Sequence, residues 1–264
     1  IATVNKNIND WSVNVNLGVS LNDNRYESMG YEGGLKILNF FAVHNINFDE
    51  AWKPKQDGWH DQTKAIFANA ELGWKSMLYL TVTGRNDWDS RLAFSDYKSF
   101  FYPSVGLSAI ISSMFDAPDW LSFLKVRGSY TEVGNSYDRF MTSITYPYDE
   151  ASHNWTSTSI YPNTKLKPER TKSWEIGVDA KFLNSFNLTY YRSNTYNQTF
   201  YASLSESSGY SKIPIQSGNI MNEGIEMALG YDKKWGDFSF STNYTLTWNR
   251  NKIKQLADGV YNYA

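Results

Sequence analysis

The sequence predicts an all-β fold: an antiparallel up-and-down transmembrane β-barrel, of which these 264 residues hold about nine strands of a larger barrel. Three observations predict it. Apolar and polar residues alternate strictly over runs longer than ordinary strands, the links between runs alternate between short and long, and aromatic residues mark both ends of the runs. Successive strand side chains point to opposite faces, so alternation gives one apolar face and one polar face. Soluble strands usually hold about 5–6 residues, whereas crossing a bilayer takes roughly 9–11.

The first run is the clearest. Over 10–22, Trp11, Val13, Val15, Leu17, Val19 and Leu21 share one parity, and Ser12, Asn14, Asn16, Gly18, Ser20 and Asn22 share the other. A second run is expected near 64–74. The third, 77–88, sets Leu78, Leu80, Val82 and Gly84 against Tyr79, Thr81, Thr83 and Arg85. In the fourth, 101–112, Phe101, Pro103, Val105, Leu107, Ala109 and Ile111 oppose Tyr102, Ser104, Gly106 and Ser108. A fifth is placed near 124–134. The sixth, 172–183, opposes Trp174, Ile176, Val178, Ala180 and Phe182 to Ser173, Glu175, Gly177, Asp179 and Lys181. Two more fall near 186–196 and 222–231. The ninth, 238–249, opposes Phe238, Phe240, Thr242, Tyr244, Leu246 and Trp248 to Ser239, Ser241, Asn243, Thr245, Thr247 and Asn249. No comparable length sustains helical spacing at i, i+3, i+4 and i+7.

The links carry the topology. Lys75-Ser76, Asn184-Ser185 and 232–237 are short, 113–123 is intermediate, and 23–63, 89–100, 135–171 and 197–221 are long and polar. Short turns at one end and long loops at the other are the habit of outer-membrane barrels. Unstructured links beyond about 12–15 residues are uncommon in compact soluble domains. Trp11, Trp74, Phe182, Phe186, Tyr231 and Phe238 sit at the short-turn ends, and Trp88, Phe101, Tyr130, Trp174, Tyr190 and Trp248 at the long-loop ends. Two such belts are what the two membrane interfaces select.

Composition narrows the function. A net charge of −2 argues against nucleic acid, and the absence of cysteine removes disulfides and thiolate metal sites. A mean hydropathy of −0.51 is compatible with a barrel, because only alternate strand residues face lipid. No signal peptide opens the sequence at Ile1, which predicts an internal section of a longer protein.

Several segments resemble SusC/RagA-type TonB-dependent transporters. They are Leu80-Thr81-Val82-Thr83-Gly84-Arg85-Asn86-Asp87-Trp88-Asp89-Ser90, then Phe101-Tyr102-Pro103-Ser104-Val105-Gly106-Leu107-Ser108, then Leu121 to Tyr130 with Val133-Gly134-Asn135. Leu166-Lys167-Pro168-Glu169-Arg170-Thr171 running into Trp174-Glu175-Ile176-Gly177, and Asn222-Glu223-Gly224-Ile225-Glu226, follow in family order. The resemblance implies part of a 22-stranded barrel in the cell outer membrane. It also implies a plug domain energised through TonB, and a SusD-like surface lipoprotein as lid. Glycan fragments or peptides would be the imported nutrients. The plug, the TonB box and a closing strand are not expected within 1–264.

The polar parity holds the candidate lumen- or plug-facing residues Arg85, Asp87, Lys125, Arg127, Glu175, Asp179 and Glu226, with Lys181 beside them. They either steer solute and grip the plug, or pair across strands to hold the wall. Trp52, Trp59, Tyr146, Tyr148, Trp155 and Tyr161 are the loop aromatics placed for ligand or lid, or for anchoring their own loops. Asp57-Gly58-Trp59-His60-Asp61 offers metal-ligand types, but three histidines without repeated spacing argue against an ion. No motif of an enzyme is present, and no cofactor is expected. The alternatives are a soluble or surface-displayed all-β carbohydrate-binding protein, which would bury its apolar faces between two sheets, and a passive porin. Parity also predicts that Val15→Arg and Val178→Arg impair assembly, and that, with a water-filled lumen, the inward changes Asn16→Arg and Gly177→Arg are milder.

Overall fold

Backbone reversals at the short links set the topology. Lys75 and Ser76 both adopt positive φ (50° and 55°), as does Gly236 (58°), the conformation of two-residue hairpin turns. The computed structural model describes residues 1–264 other than 51, 117, 119, 150, 151, 153, 183, 217 and 256–264. The strands are β1 Ala2–Ile8, β2 Trp11–Gly33, β3 Trp52–Trp74, β4 Leu78–Asp89, β5 Phe100–Ile110 and β6 Phe123–Asn135. After them come β7 Tyr148–Asp149, β8 Asn154–Trp155, β9 Glu169–Lys181 and β10 Ser185–Tyr196. The last four are β11 Thr199–Ser203, β12 Lys212–Gln216, β13 Asn219–Trp235 and β14 Phe238–Gln255. Ten of them form one sheet in the order β1-β2-β3-β4-β5-β6-β9-β10-β13-β14, every pair antiparallel. The pairs β7-β8 and β11-β12 are small hairpins inside two of the long links. The sheet is a barrel wall, and it does not close on itself.

Register keeps the two faces unmixed across the wall. One row runs Val13, Leu72, Leu80, Leu107, Gly128, Ile176, Tyr190, Ile225 and Trp248. The adjacent row runs Asn14, Glu71, Thr81, Gly106, Ser129, Glu175, Tyr191, Gly224 and Asn249. Among the described residues no protein layer covers the apolar face: Val19, Leu107 and Ile176 are 73%, 56% and 54% exposed. A sandwich would bury that face against a second sheet, whereas a bilayer covers it with lipid. The buried apolar cluster among the described residues is small and lies elsewhere. Leu92, Phe100, Tyr137, Met141 and Leu166 pack together with Tyr102 at the long-link end of the wall. Phe100 and Tyr102 have the polar-face parity, paired with Asp87 and Arg85, so this cluster sits at the mouth on the inner side.

Strand lengths depart from expectation in three places. A tenth sheet strand, β1, precedes the nine anticipated, because Lys6 interrupts its apolar parity of Ala2, Val4 and Ile8. The link 23–63 is mostly strand. β2 and β3 stay in register from Trp11↔Trp74 to Gly33↔Trp52, with 34–50 at the tip. Beyond Asn22 polar residues and scattered aromatics mix on both faces, so no alternation marks the continuation, and cross-strand pairing carries it. At about 3.3 Å per residue these 23-residue strands are roughly 75 Å long, far more than a bilayer needs. Trp52 and Trp59 are therefore strand residues rather than loop residues. Likewise the link 232–237 shrinks to Gly236-Asp237, since the charged stretch Asp232-Lys233-Lys234 extends β13 without a pattern to reveal it.

Candidate functional site

The inner face organises around Arg127. β6, β9 and β10 lie side by side, which brings Arg127 opposite Gly177 and Gly177 opposite Thr189. The Arg127 Nη1 donates to Glu175, its Nη2 donates to Thr189 Oγ1 at 2.8 Å, and its Nε lies 3.6 Å from Asp179 Oδ2. Asn187 Nδ2 donates to Asp179 in turn. Gly177 makes this possible. A Cβ there would stand 2.8 Å from the Arg127 Nε, so the guanidinium occupies the space over the missing side chain. Gly177→Arg is therefore expected to shift the flexible end of Arg127 and to set a second guanidinium beside Glu175 and Asp179. Lys125 joins Arg127, Ser129, Glu175 and Tyr79 around an adjoining hollow of about 160 Å³. Glu226 is on the same face beside Thr189 and Thr247, exposed and outside the network.

Arg127 and Glu175 are each about one-third exposed, so water screens their attraction. A double-mutant cycle with Arg127→Ala and Glu175→Gln is expected to return a coupling of about 1 kcal/mol in barrel unfolding. A coupling of zero would mean that the pair contributes no measurable stability to the wall.

A second constellation lines the mouth. Arg85 Nε donates to Asp87 Oδ1 at 2.7 Å, Tyr102 Oη donates to Asp87 Oδ2 at 2.8 Å, and the guanidinium lies 5.8 Å from the Phe67 ring centre. Arg85 and Asp87 thus meet each other, as their shared parity predicts. Two residues further along the same face, Asp89 is buried and collects five donors. Arg91 gives its backbone N–H (2.9 Å) and its guanidinium (Nη2 to Oδ2 at 2.6 Å, Nε at 3.0 and 3.2 Å). Ser136 Oγ donates at 2.7 Å and Thr63 Oγ1 at 3.4 Å. Asp89 therefore ties β3, β4 and the starts of two long links into one knot. Under it lies the Leu92, Phe100, Tyr137, Met141 and Leu166 cluster. Burial pushes the Tyr137 phenol above its ordinary value, and its oxygen is the one buried side-chain polar atom without a partner among the described residues.

The β2-β3 hairpin leans on this mouth through Arg139. Its guanidinium pairs with Asp61 and lies 4.0 Å from the Trp59 ring centre, and Trp59 stacks on Tyr26 at 5.8 Å. The other aromatics pack on neighbours: Trp52 on Phe48 (5.2 Å) and Tyr31 (5.9 Å), Tyr148 on Trp155 (5.2 Å), and Tyr161 on Tyr210 (5.1 Å). Among the described residues Tyr146 makes no ring contact, and it is 63% exposed. His60 pairs with Asp23 on one face of the hairpin while Asp61 pairs with Arg139 on the other, so the 57–61 segment splits its ligand types. Among the described residues no group of three or more acids and imidazoles gathers as a metal site would.

Sequence reasoning missed Asp89, Ser136, Thr189 and Arg139, and considered Asp61 only as a metal-ligand type. Asp89 continues the parity of Arg85 and Asp87 and was legible in principle. Arg139 reaches Asp61 across 78 residues, and no local pattern signals such a contact. Chemically, the inner face offers hydrogen-bond donors and acceptors that can orient a polar solute.

Residues 3–263 match the family model described as TonB dependent receptor-like, beta-barrel. TonB-dependent receptor P3 of Formosa agariphila is 24% identical over 252 residues, which is 89% of this chain and 25% of that protein. TonB-dependent receptor SusC of Bacteroides thetaiotaomicron is 25% identical over 125 residues, 43% of this chain and 12% of that protein. Among solved structures, the RagAB peptide transporter superposes with a TM-score of 0.85 over 98% of this chain and 30% of its own, at 19% identity. The outer-membrane transporter YddB of Escherichia coli does so at 0.65 over 94% and 32%, at 9% identity. The chain thus spans about a quarter of the first of these relatives and about a third of the solved chains.

Proposed function

The chain belongs to the TonB-dependent receptor β-barrel family of the outer membrane, and from that premise we propose that it forms wall and extracellular vestibule of a SusC/RagA-like active importer. The polar inner face with Arg127, Glu175 and Asp179 at its centre carries this reading, because an aqueous path needs a hydrated, hydrogen-bonding lining. Glycan fragments or peptides are the proposed cargo. RagAB, a peptide transporter, shares the fold, and SusC is a sequence relative. Energy would reach the barrel through a plug domain and TonB.

The proposed lid is a SusD-like lipoprotein. The hairpin tip supports it: Asn45 Nδ2 donates to the Ile37 and Phe40 carbonyls (2.7 Å each), ordering a knob from which Leu38 and Phe41 project almost fully exposed. Ordered, exposed apolar side chains on a long stalk suit contact with a second protein.

Uptake of labelled peptides and oligosaccharides by cells with and without the intact gene tests the proposal. Gene-dependent uptake of either class, lost when the proton-motive force is collapsed, is expected. Uptake that survives the collapse would make the barrel a passive porin, and gene-independent uptake of both classes would overturn the import reading.

A further inference from the structure

The outward face changes character toward the long-link ends of β6, β9, β10, β13 and β14. The aromatic positions there are Tyr130, Trp174, Tyr190 and Trp248, with Trp174 and Tyr190 in ring contact at 5.1 Å. Arg192, Glu223 and Arg250 stand in the same register row as Trp174, one row beyond Tyr190, Ile225 and Trp248. The next row outward holds Glu132, Lys172, Asn194, Met221 and Lys252, and Arg170 follows on β9. Five cations therefore share a patch with two carboxylates, on a chain whose net charge is −2.

Pairing uses up only part of that charge. Glu132 takes Arg170 at 3.0 Å and Lys172 at 3.4 Å, and also accepts from Tyr130 Oη at 2.7 Å. Glu223 accepts from Tyr190 Oη at 3.3 Å. Among the described residues Arg192, Arg250 and Lys252 make no ion pair, and Arg250 and Lys252 are exposed.

The patch has the outward parity, on the face opposite the Arg127 network, so in a closed barrel it points away from the lumen, with Met221 inside it packed under its neighbours at 2% exposure. What meets it is the outer surface of the bilayer. Aromatic rings place the hydrocarbon boundary at Tyr190 and Trp248, and the cations begin two residues beyond, at Arg192 and Arg250 on the same face, at headgroup level. Clustered Arg and Lys at that depth select anionic headgroups, and guanidinium forks suit phosphate.

We propose that Arg192, Arg250 and Lys252, backed by Arg170 and Lys172, form a binding site for the phosphate groups of an outer-leaflet lipid. Native mass spectrometry of the full-length protein from outer membranes, in mild detergent with diphosphorylated lipid A as probe, tests this. The variant Arg192→Gln/Arg250→Gln/Lys252→Gln is expected to bind the probe at least tenfold more weakly. The control Lys6→Gln, an outward cation at the opposite end of the wall, is expected to bind as the parent does. Equal binding by the triple variant would overturn the proposal. Should the variant fail to assemble, the parent decides: at least tenfold preference for diphosphorylated over dephosphorylated lipid A supports the site, and equal affinity overturns it. Displacement of the probe by millimolar inorganic phosphate would assign the patch to the free anion and likewise overturn a lipid site.

Discussion

Val178→Arg is expected to keep most of the barrel from assembling in the outer membrane. Val178 sits on the outward face between Val126 and Leu188, four residues from each of the belt positions Trp174 and Phe182 and hence near mid-bilayer. An arginine at that depth costs about 2–4 kcal/mol, because no water or counter-charge reaches it and its backbone row offers only apolar neighbours. Val15→Arg, between Val4 and Ala70, is expected to behave alike. Asn16→Arg is the matched control one residue away. Its neighbours Thr3 and Asn69 share the polar face, and its present partners, Thr3 Oγ1 (2.7 Å) and Asn14 Oδ1 (2.7 Å), are hydroxyl and amide groups that water can replace. The readout is the heat-modifiable fraction of full-length protein recovered from outer membranes. Equal recovery at both parities would overturn the barrel assignment.

Asp89→Ala is expected to release the mouth while leaving the wall intact. The Asp89 carboxylate is 3% exposed and is the common acceptor for Arg91, Ser136 and Thr63. Removing it strands the Arg91 guanidinium and a backbone N–H beside the apolar cluster. Breaking a buried pair in this way costs about 3–5 kcal/mol, and the 29% exposure of Arg91 places this case at the lower end. The loss falls on the segments that Asp89 ties, 90–99 and 136–142, rather than on the β4 ladder. Hydrogen exchange there should accelerate by at least an order of magnitude, and heat-modifiability should persist. Unchanged exchange in both segments would show that the apolar cluster holds the mouth without the knot.

Much of the wall was legible from parity alone. Arg85, Asp87, Lys125, Arg127, Glu175, Asp179 and Glu226 all share the polar face of the sheet, because period-2 alternation needs only local sequence and the pleat. Strand extent was legible only where lipid imposes the pattern. β1 escaped notice through Lys6, and the upper halves of β2 and β3 through polar residues and scattered aromatics mixed on both faces, where nothing but cross-strand pairing distinguishes strand from loop.

The sequence by itself determined the fold class, the sidedness of the strands, the alternation of turns and loops, and the family. Each depends on residues a few positions apart: a two-residue period, a turn that needs positive φ, a short motif in order. Only the tertiary structure decided which charges meet. Gly177 reads as a tolerant inward site until β6 lays Arg127 over it, and Arg139 reads as loop polarity until the hairpin brings Trp59 and Asp61 beneath its guanidinium. Those partners are set by register between strands and by the path of long links, quantities that a local pattern does not contain.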